Sequence, residues 1–195
     1  MIRTLRERLL DYPRRELPIQ LPEAAVLMPI TDASQPELIL TVRTAHMPTH
    51  GGEVAFPGGT RDPADPDLLA TALRETEEEV GVPADHIHVL AELSALPSRF
   101  GMKVTPFVGL VDPMVQIIPD PGEIADVFRV PMEFFLTEKP EMSDPFDFHG
   151  RRMCIPNFYY EDKRIWGLTA FMILDLVNHV YDAGIHYDLG PCEKE

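Results

Sequence analysis

Cysteine is scarce: Cys154 and Cys192 are the only two in 195 residues, far apart and with no Cys or His nearby at ligand spacing. That pattern indicates neither a disulfide framework nor a zinc site, and free thiols in a reducing compartment are the expectation. Cationic side chains are also in deficit, with 17 Lys and Arg against 32 Asp and Glu and a formal charge of -15. Nucleic-acid binding needs clustered cations to displace counterions from phosphate, so this balance argues against it. An anionic small molecule would need a metal ion to overcome the same field. No apolar run approaches the ~18 residues of a membrane span, and an N-terminus charged at Arg3, Arg6, Glu7 and Arg8 lacks a signal-peptide core. These absences lead to the expectation of a cytoplasmic protein without a membrane partner. Internal repeats, low-complexity tracts and long linkers are missing too, so residues 1–195 are expected to form one domain, with 1–22 a helix and extended lead-in and 184–195 a tail.

What is present alternates between strand-like and helix-like segments. Ile2, Leu5 and Leu9 repeat at helical spacing, which predicts a short amphipathic helix to about Tyr12, ended by Pro13. Residues 24–30 and 37–44 read as partner strands around the turn 31–36. Strands are further predicted at 87–96, 104–111, 123–130, 151–155 and 158–166, a short aromatic helix at 131–136, and a mainly structural helix from about Thr169 to Ala183. This alternation allows an α/β fold without specifying its architecture.

The stretch from Arg74 to Val82 carries the chemistry. Each helical residue turns roughly 100°, so Glu75, Glu78 and Glu79 share one face while Glu77 points away. They converge just before Gly81, a C-terminal capping residue, where the helix dipole disfavours negative charge and neighbouring carboxylates repel. Such a cluster makes sense around a divalent cation, because hard cations such as Mg2+ take oxygen ligands; the plain alternative is a solvated acidic face. Asp65 is the expected N-cap of this helix and Pro66 its first residue, with Leu68, Leu69, Ala72, Leu73, Thr76 and Val80 as its buried stripe. Upstream, Gly58-Gly59 allows positive φ and close backbone approach, which could present amides and carbonyls to a phosphate or metal, or simply make a tight turn.

The segment from Gly59 to Val82 resembles the Nudix box, G-x5-E-x7-R-E-U-x-E-E-x-G-U with U aliphatic, with Thr76 at the first U, Asp65 in place of the first Glu and one extra residue before Arg74. Leu40-Thr41-x-Arg43 followed by His50-x-Gly52-x-Val54-x-Phe56-Pro57-Gly58-Gly59 is similar to the additional signature of the coenzyme A pyrophosphatase branch of that superfamily. The resemblance implies a Nudix α/β/α sandwich, a mixed sheet between helices, that hydrolyses a nucleoside diphosphate-linked small molecule with Mg2+ or Mn2+. By analogy Glu75, Glu78 and Glu79 are metal ligands, with the Gly59 carbonyl a weaker candidate, and Arg74 orients Glu75 or a neighbouring carboxylate. The general base is left open between a box glutamate and an acid on a later loop, for which Glu123 is the best candidate. Arg43, His50 and Gly58 fall at the substrate, and the resemblance allows a homodimer. Pro48 stands where the branch usually has a basic residue and offers neither charge nor N–H. ADP-ribose, dinucleotides and nucleoside triphosphates therefore stay open as alternative substrates, as does a non-catalytic nucleotide-binding role. Arg99 and Phe100, in the loop 97–101, could contact phosphate and stack on a base; the plainer reading is a surface Arg and a core Phe. His46, His50 and His149 show no paired zinc spacing, so solvated or hydrogen-bonded roles suffice for each.

Overall fold

The computed structural model describes residues 1–46, 51–143, 146–148 and 151–185. His50, Pro48, His149 and Cys192 lie outside the described residues. Helix α1 (Ile2–Leu9) comes first, followed by β1 (Glu23–Thr31), β2 (Glu37–Arg43), β3 (Val54–Ala55), β4 (Gly58–Thr60) and α2 (Leu68–Val80). Next come β5 (Ile87–Glu92), β6 (Leu96–Pro97), β7 (Lys103–Val111), β8 (Ile124–Pro131) and the single turn α3 (Phe134–Thr137). The short strands β9 (Glu141–Met142), β10 (Phe146–Phe148) and β11 (Arg151–Met153) precede β12 (Pro156–Tyr160), β13 (Lys163–Trp166) and α4 (Gly167–Tyr181).

The central sheet is mixed. β1 runs parallel to β7 from Glu23↔Lys103 to Thr31↔Val111, and its other partners are antiparallel. β1 and β2 touch at Ile30↔Leu38 near their shared turn and then separate. Into the opening go β4, paired with β1 through Val26↔Gly58, and β3, paired with β2 through Val42↔Val54. The glycine pair therefore sits where the sheet divides.

Period-two alternation distributes the core to both sheet faces. Met28, Ile30, Leu38, Leu40, Val108 and Leu110 face one cluster with Leu5, Leu9 and the buried residues of α4, while Ala25, Leu27, Ile39 and Phe107 face Ala72 and Val80 of α2. Helices thus cover both faces, giving the α/β/α arrangement. The aromatics of 131–136 pack as expected, with Phe135 edge-on to Phe158 at 5.2 Å between centroids.

Two expectations are corrected here. The N-cap of α2 is Asp67, whose Oδ1 accepts from Ala70 N at 2.8 Å. Asp65 is drawn away from the cap by Arg74, and the proline after it precedes the helix. Cys154 is disulfide-bonded rather than a free thiol, and the cysteine argument for a reducing compartment falls away. Among the described residues no helix is long and apolar enough to cross a membrane.

Candidate active site

The acidic face of α2 is graded by depth. Glu79 is 3 % exposed, the Glu75 side chain 17 % and the Glu78 side chain 58 %. The 3.6-residue repeat that groups the three also points Glu79 inward toward the divided sheet and leaves Glu78 at the rim. The C-terminal end of the helix tolerates this charge because its carbonyls are occupied: Gly81, at φ 68°, donates to Glu77 O, and the loop between β7 and β8 donates Ile118 N to Val80 O and Asp120 N to Glu79 O.

Arg74 organises one side. Its Nε and Nη2 each lie 3.0 Å from an oxygen of Asp65, and Nη1 reaches Glu75 Oε1 at 2.9 Å and Glu78 Oε2 at 2.8 Å. Asp65 also accepts from Thr71 Oγ1 and Asp62 N, both at 2.9 Å. The Arg74 guanidinium, helped by these donors, holds the Asp65 carboxyl far below the usual carboxylate range. Asp65 is therefore a structural anchor for the arginine.

Arg43, at the end of β2, organises the other side. Its Nη1 lies 2.7 Å from Glu79 Oε1, and its Nη2 faces Glu123 Oε2 at 3.5 Å. Gly58 N donates to Glu79 Oε2 at 3.1 Å. Burial still dominates, pushing Glu79 up to about 7 against the pull of Arg43 and Gly58. Glu75 is likewise raised by burial, with Arg74 opposing and the charges of Glu78 and Glu123 adding to the rise.

The glycines have separate reasons to be glycine. Gly58 has φ +155°, and a Cβ there would meet Ala25 O at 2.3 Å. At Gly59 a Cβ would meet the Glu75 carboxylate carbon at 2.4 Å. The first position lets the backbone enter the divided sheet; the second lets the helix bring its carboxylate against the strand.

Of the residues singled out in the sequence, the structure gathers Arg43, Gly58, Gly59, Arg74, Glu75, Glu78, Glu79 and Glu123 around one end of α2. Among the described residues, no three carboxylate, His or Cys groups stand ready as an ion-binding group, since the two arginines engage these carboxylates. The donor chemistry still fits a hard divalent ion: three glutamates share a face, two of them are largely buried, and a glycine backbone lies against one. Arg99 and Phe100 stand aside from this group. Arg99 bonds Glu53 Oε1 at 2.7 Å, and Phe100 is 50 % exposed rather than a core residue, because the loop after β6 turns outward at Gly101, φ +73°. Beside them lie Arg164 and Trp166, which no motif in the sequence marks. Their i, i+2 spacing on a strand is the signal that puts both on one side.

A model of the NUDIX domain matches residues 21–149. An uncharacterized Nudix hydrolase NudL from Photorhabdus laumondii is 41% identical over 157 residues, covering 80% of this chain and 84% of the relative. The protein of the same description from Yersinia pestis (strain Pestoides F) is 43% identical over 157 residues, covering 80% of this chain and 79% of the relative. A solved structure of a MutT/nudix family protein from Enterococcus faecalis aligns with a TM-score of 0.52 at 20% identity, covering 86% of this chain and 66% of that one, a likeness of fold. With more than half of its length matched by the domain model, and with relatives above 40% identity over most of their lengths, the chain belongs to the Nudix hydrolase family.

Proposed function

We propose that the chain hydrolyses coenzyme A, or an acyl or oxidised derivative, to 3′,5′-ADP and the corresponding 4′-phosphopantetheine. As a Nudix hydrolase it acts on nucleoside diphosphate-linked substrates; the narrower choice is supported by the segment from Leu40 to Gly59, which leads directly into the acidic face. The observation that carries the chemistry is the placing of Glu75 and Glu79 against Gly59 and Gly58.

Mg2+ or Mn2+ would be held by Glu75, Glu78 and Glu79, with the Gly59 carbonyl as a further oxygen donor. When bound, the ion supplies neutralisation of charge on the non-bridging phosphate oxygens. The chain's own residues do the rest. Arg74, fixed from behind by Asp65, sets the position of Glu75 and Glu78. Arg43 draws Glu79 toward its ionised form, against a burial that still leaves the group raised. Water attacks one phosphorus, the anhydride P–O bond breaks, and the proton lost by the water passes to a carboxylate. Glu123 suits that step: it stands at the rim, half exposed, on a loop fixed by Thr44 N to Glu123 O at 2.8 Å.

The hold of Arg74 and Arg43 on the carboxylates favours one second reading, a non-catalytic module that binds nucleotide metabolites. A single experiment separates the two. The purified protein is incubated with Mg2+ or Mn2+ and coenzyme A, dephospho-coenzyme A, ADP-ribose, NADH or a nucleoside triphosphate, and products are identified by mass. Release of 3′,5′-ADP from coenzyme A is expected. Turnover confined to the other substrates overturns the coenzyme A reading, and binding without turnover favours the module.

A further inference from the structure

The acidic face accounts for the diphosphate of a substrate and for nothing beyond it. A cluster of opposite character adjoins it, built from the loop after β6 and from β13. The guanidinium carbon of Arg99 lies 4.8 Å from the Phe100 ring centroid and 5.3 Å from that of Trp166. Arg164 lies 4.8 Å from the same indole. Two cations thus share one ring in a chain whose formal charge is -15.

The two arginines are compensated unequally. Arg99 Nη2 bonds Glu53 Oε1 at 2.7 Å. Arg164 is fixed through Nε to the neutral Oδ1 of Asn157 at 2.8 Å, and no carboxylate pairs with it among the described residues. Guanidiniums held at one ring repel each other, and stacking on the partly buried Trp166 ring offsets that only in part. A dianionic phosphate between them removes the repulsion and matches the fork of N–H donors that each presents.

The cluster is tied to the acidic face through one residue. Glu53 holds Arg99 with its side chain, and its carbonyl accepts from Arg43 N at 3.0 Å, while the Arg43 side chain ends on Glu79. From the other direction Thr169 Oγ1 donates to Val54 O at 3.1 Å, which fixes the junction of β13 and α4 against β3.

We infer that Arg99, Arg164 and Trp166, flanked by Phe100, form a subsite for a phosphomonoester on the nucleotide portion of the substrate, separate from the diphosphate that is cleaved. The inference rests on the reading that the acidic face takes a nucleoside diphosphate-linked substrate, and it adds the group by which that substrate is told from its relatives. Half-exposed Phe100, stacked by Arg99, adds apolar surface beside the phosphate.

The test is made without metal, so that no turnover enters it. Affinities of 3′,5′-ADP and 5′-AMP are measured by titration calorimetry, and the emission of Trp166, the single tryptophan, reports whether the ligand arrives at this cluster. The wild-type protein is expected to bind 3′,5′-ADP at least about tenfold more tightly than 5′-AMP, with a saturable change in emission. Arg164→Ala and Arg99→Ala, each checked for an unchanged fold by circular dichroism, are expected to bring the two affinities within about twofold, and Arg164→Lys to restore part of the preference. Equal affinities in the wild type, no binding of either nucleotide, or a preference that survives both alanine variants overturns the subsite. Hydrolysis assays fail or succeed independently: a preference without coenzyme A turnover would leave the subsite standing and remove the proposed activity, and turnover without a preference would do the reverse.

Discussion

Arg74 with Asp65 and Arg43 with Glu79 are the same chemical pair, arginine against a nearly buried carboxylate at 3.0 and 2.7 Å, yet the two acids shift in opposite directions, Glu79 upward because burial outweighs its arginine. The closer contact is not the more stabilising one. Asp65 collects two guanidinium N–H groups, a hydroxyl and a backbone amide, in a loop whose neighbours at 61–64 are exposed. Glu79 has one guanidinium N–H and one amide, wedged between helix and divided sheet. The number of donors and the depth of the site decide the outcome more than the shortest distance does. One pair secures the fold, and the other only partly offsets the cost of charge on a buried carboxylate, a perturbed group of the kind that clusters at functional sites.

The sharpest way to break this division is Glu78→Gln. The residue sits on the functional side yet is mostly exposed, so loss of its pair with Arg74 changes stability by no more than about 0.5 kcal/mol, while Mg2+-dependent kcat/KM is expected to fall at least about a hundredfold. A wild-type rate at saturating Mg2+ would sink its assignment as a ligand.

The glycines give the next largest effect and divide the same way. Gly58→Ala forces a side chain onto the β1 backbone at positive φ and is expected to cost about 2–4 kcal/mol in denaturant unfolding. Gly59→Ala meets only the movable end of Glu75, so stability is retained and kcat drops. Equal loss of stability in both variants would contradict the separation.

The remaining effects are in pH dependence. The folded protein retains a proton on Glu79 that the unfolded chain has lost, so in chelator-treated protein this group lowers stability as pH rises from the ordinary carboxylate range to about 7, by on the order of 3 kcal/mol. Glu79→Gln should flatten that decline in a series of Tm measurements. Asp65 acts with the reverse sign: its contribution is complete above the ordinary carboxylate range and is lost as pH falls below it. Asp65→Asn should therefore lower Tm at neutral pH and weaken the acid-side dependence. A pH profile unchanged by either substitution would count against the contrast.

The features legible in the sequence are those set by local periodicity. The face shared by Glu75, Glu78 and Glu79 and the cap at Gly81 follow from helical geometry over a few residues, and most strands from apolar runs. Long-range competition is what displaced the rest. Asp65 is a good capping residue by type, but Arg74, nine positions on, makes a better partner and leaves the cap to Asp67. Phe100 looked like core because most phenylalanines are, and only the outward loop shows otherwise. Nothing local announced that Glu53 would hold Arg99 or that Trp166 would lie beneath it, because those contacts depend on β13 packing near β3.

The parallel pairing of β1 with β7 has a kinetic consequence. Glu23 opposes Lys103, eighty positions later, and everything that builds the acidic face except Glu123 lies inside the loop this pairing closes. Closing so long a loop costs chain entropy before the sheet returns any of it. The glycine strand and α2 can lean on each other early, but the divided sheet that receives Glu79 is complete only once β7 has docked. Regain of catalytic competence on refolding should thus coincide with the last global step and lag the appearance of helix.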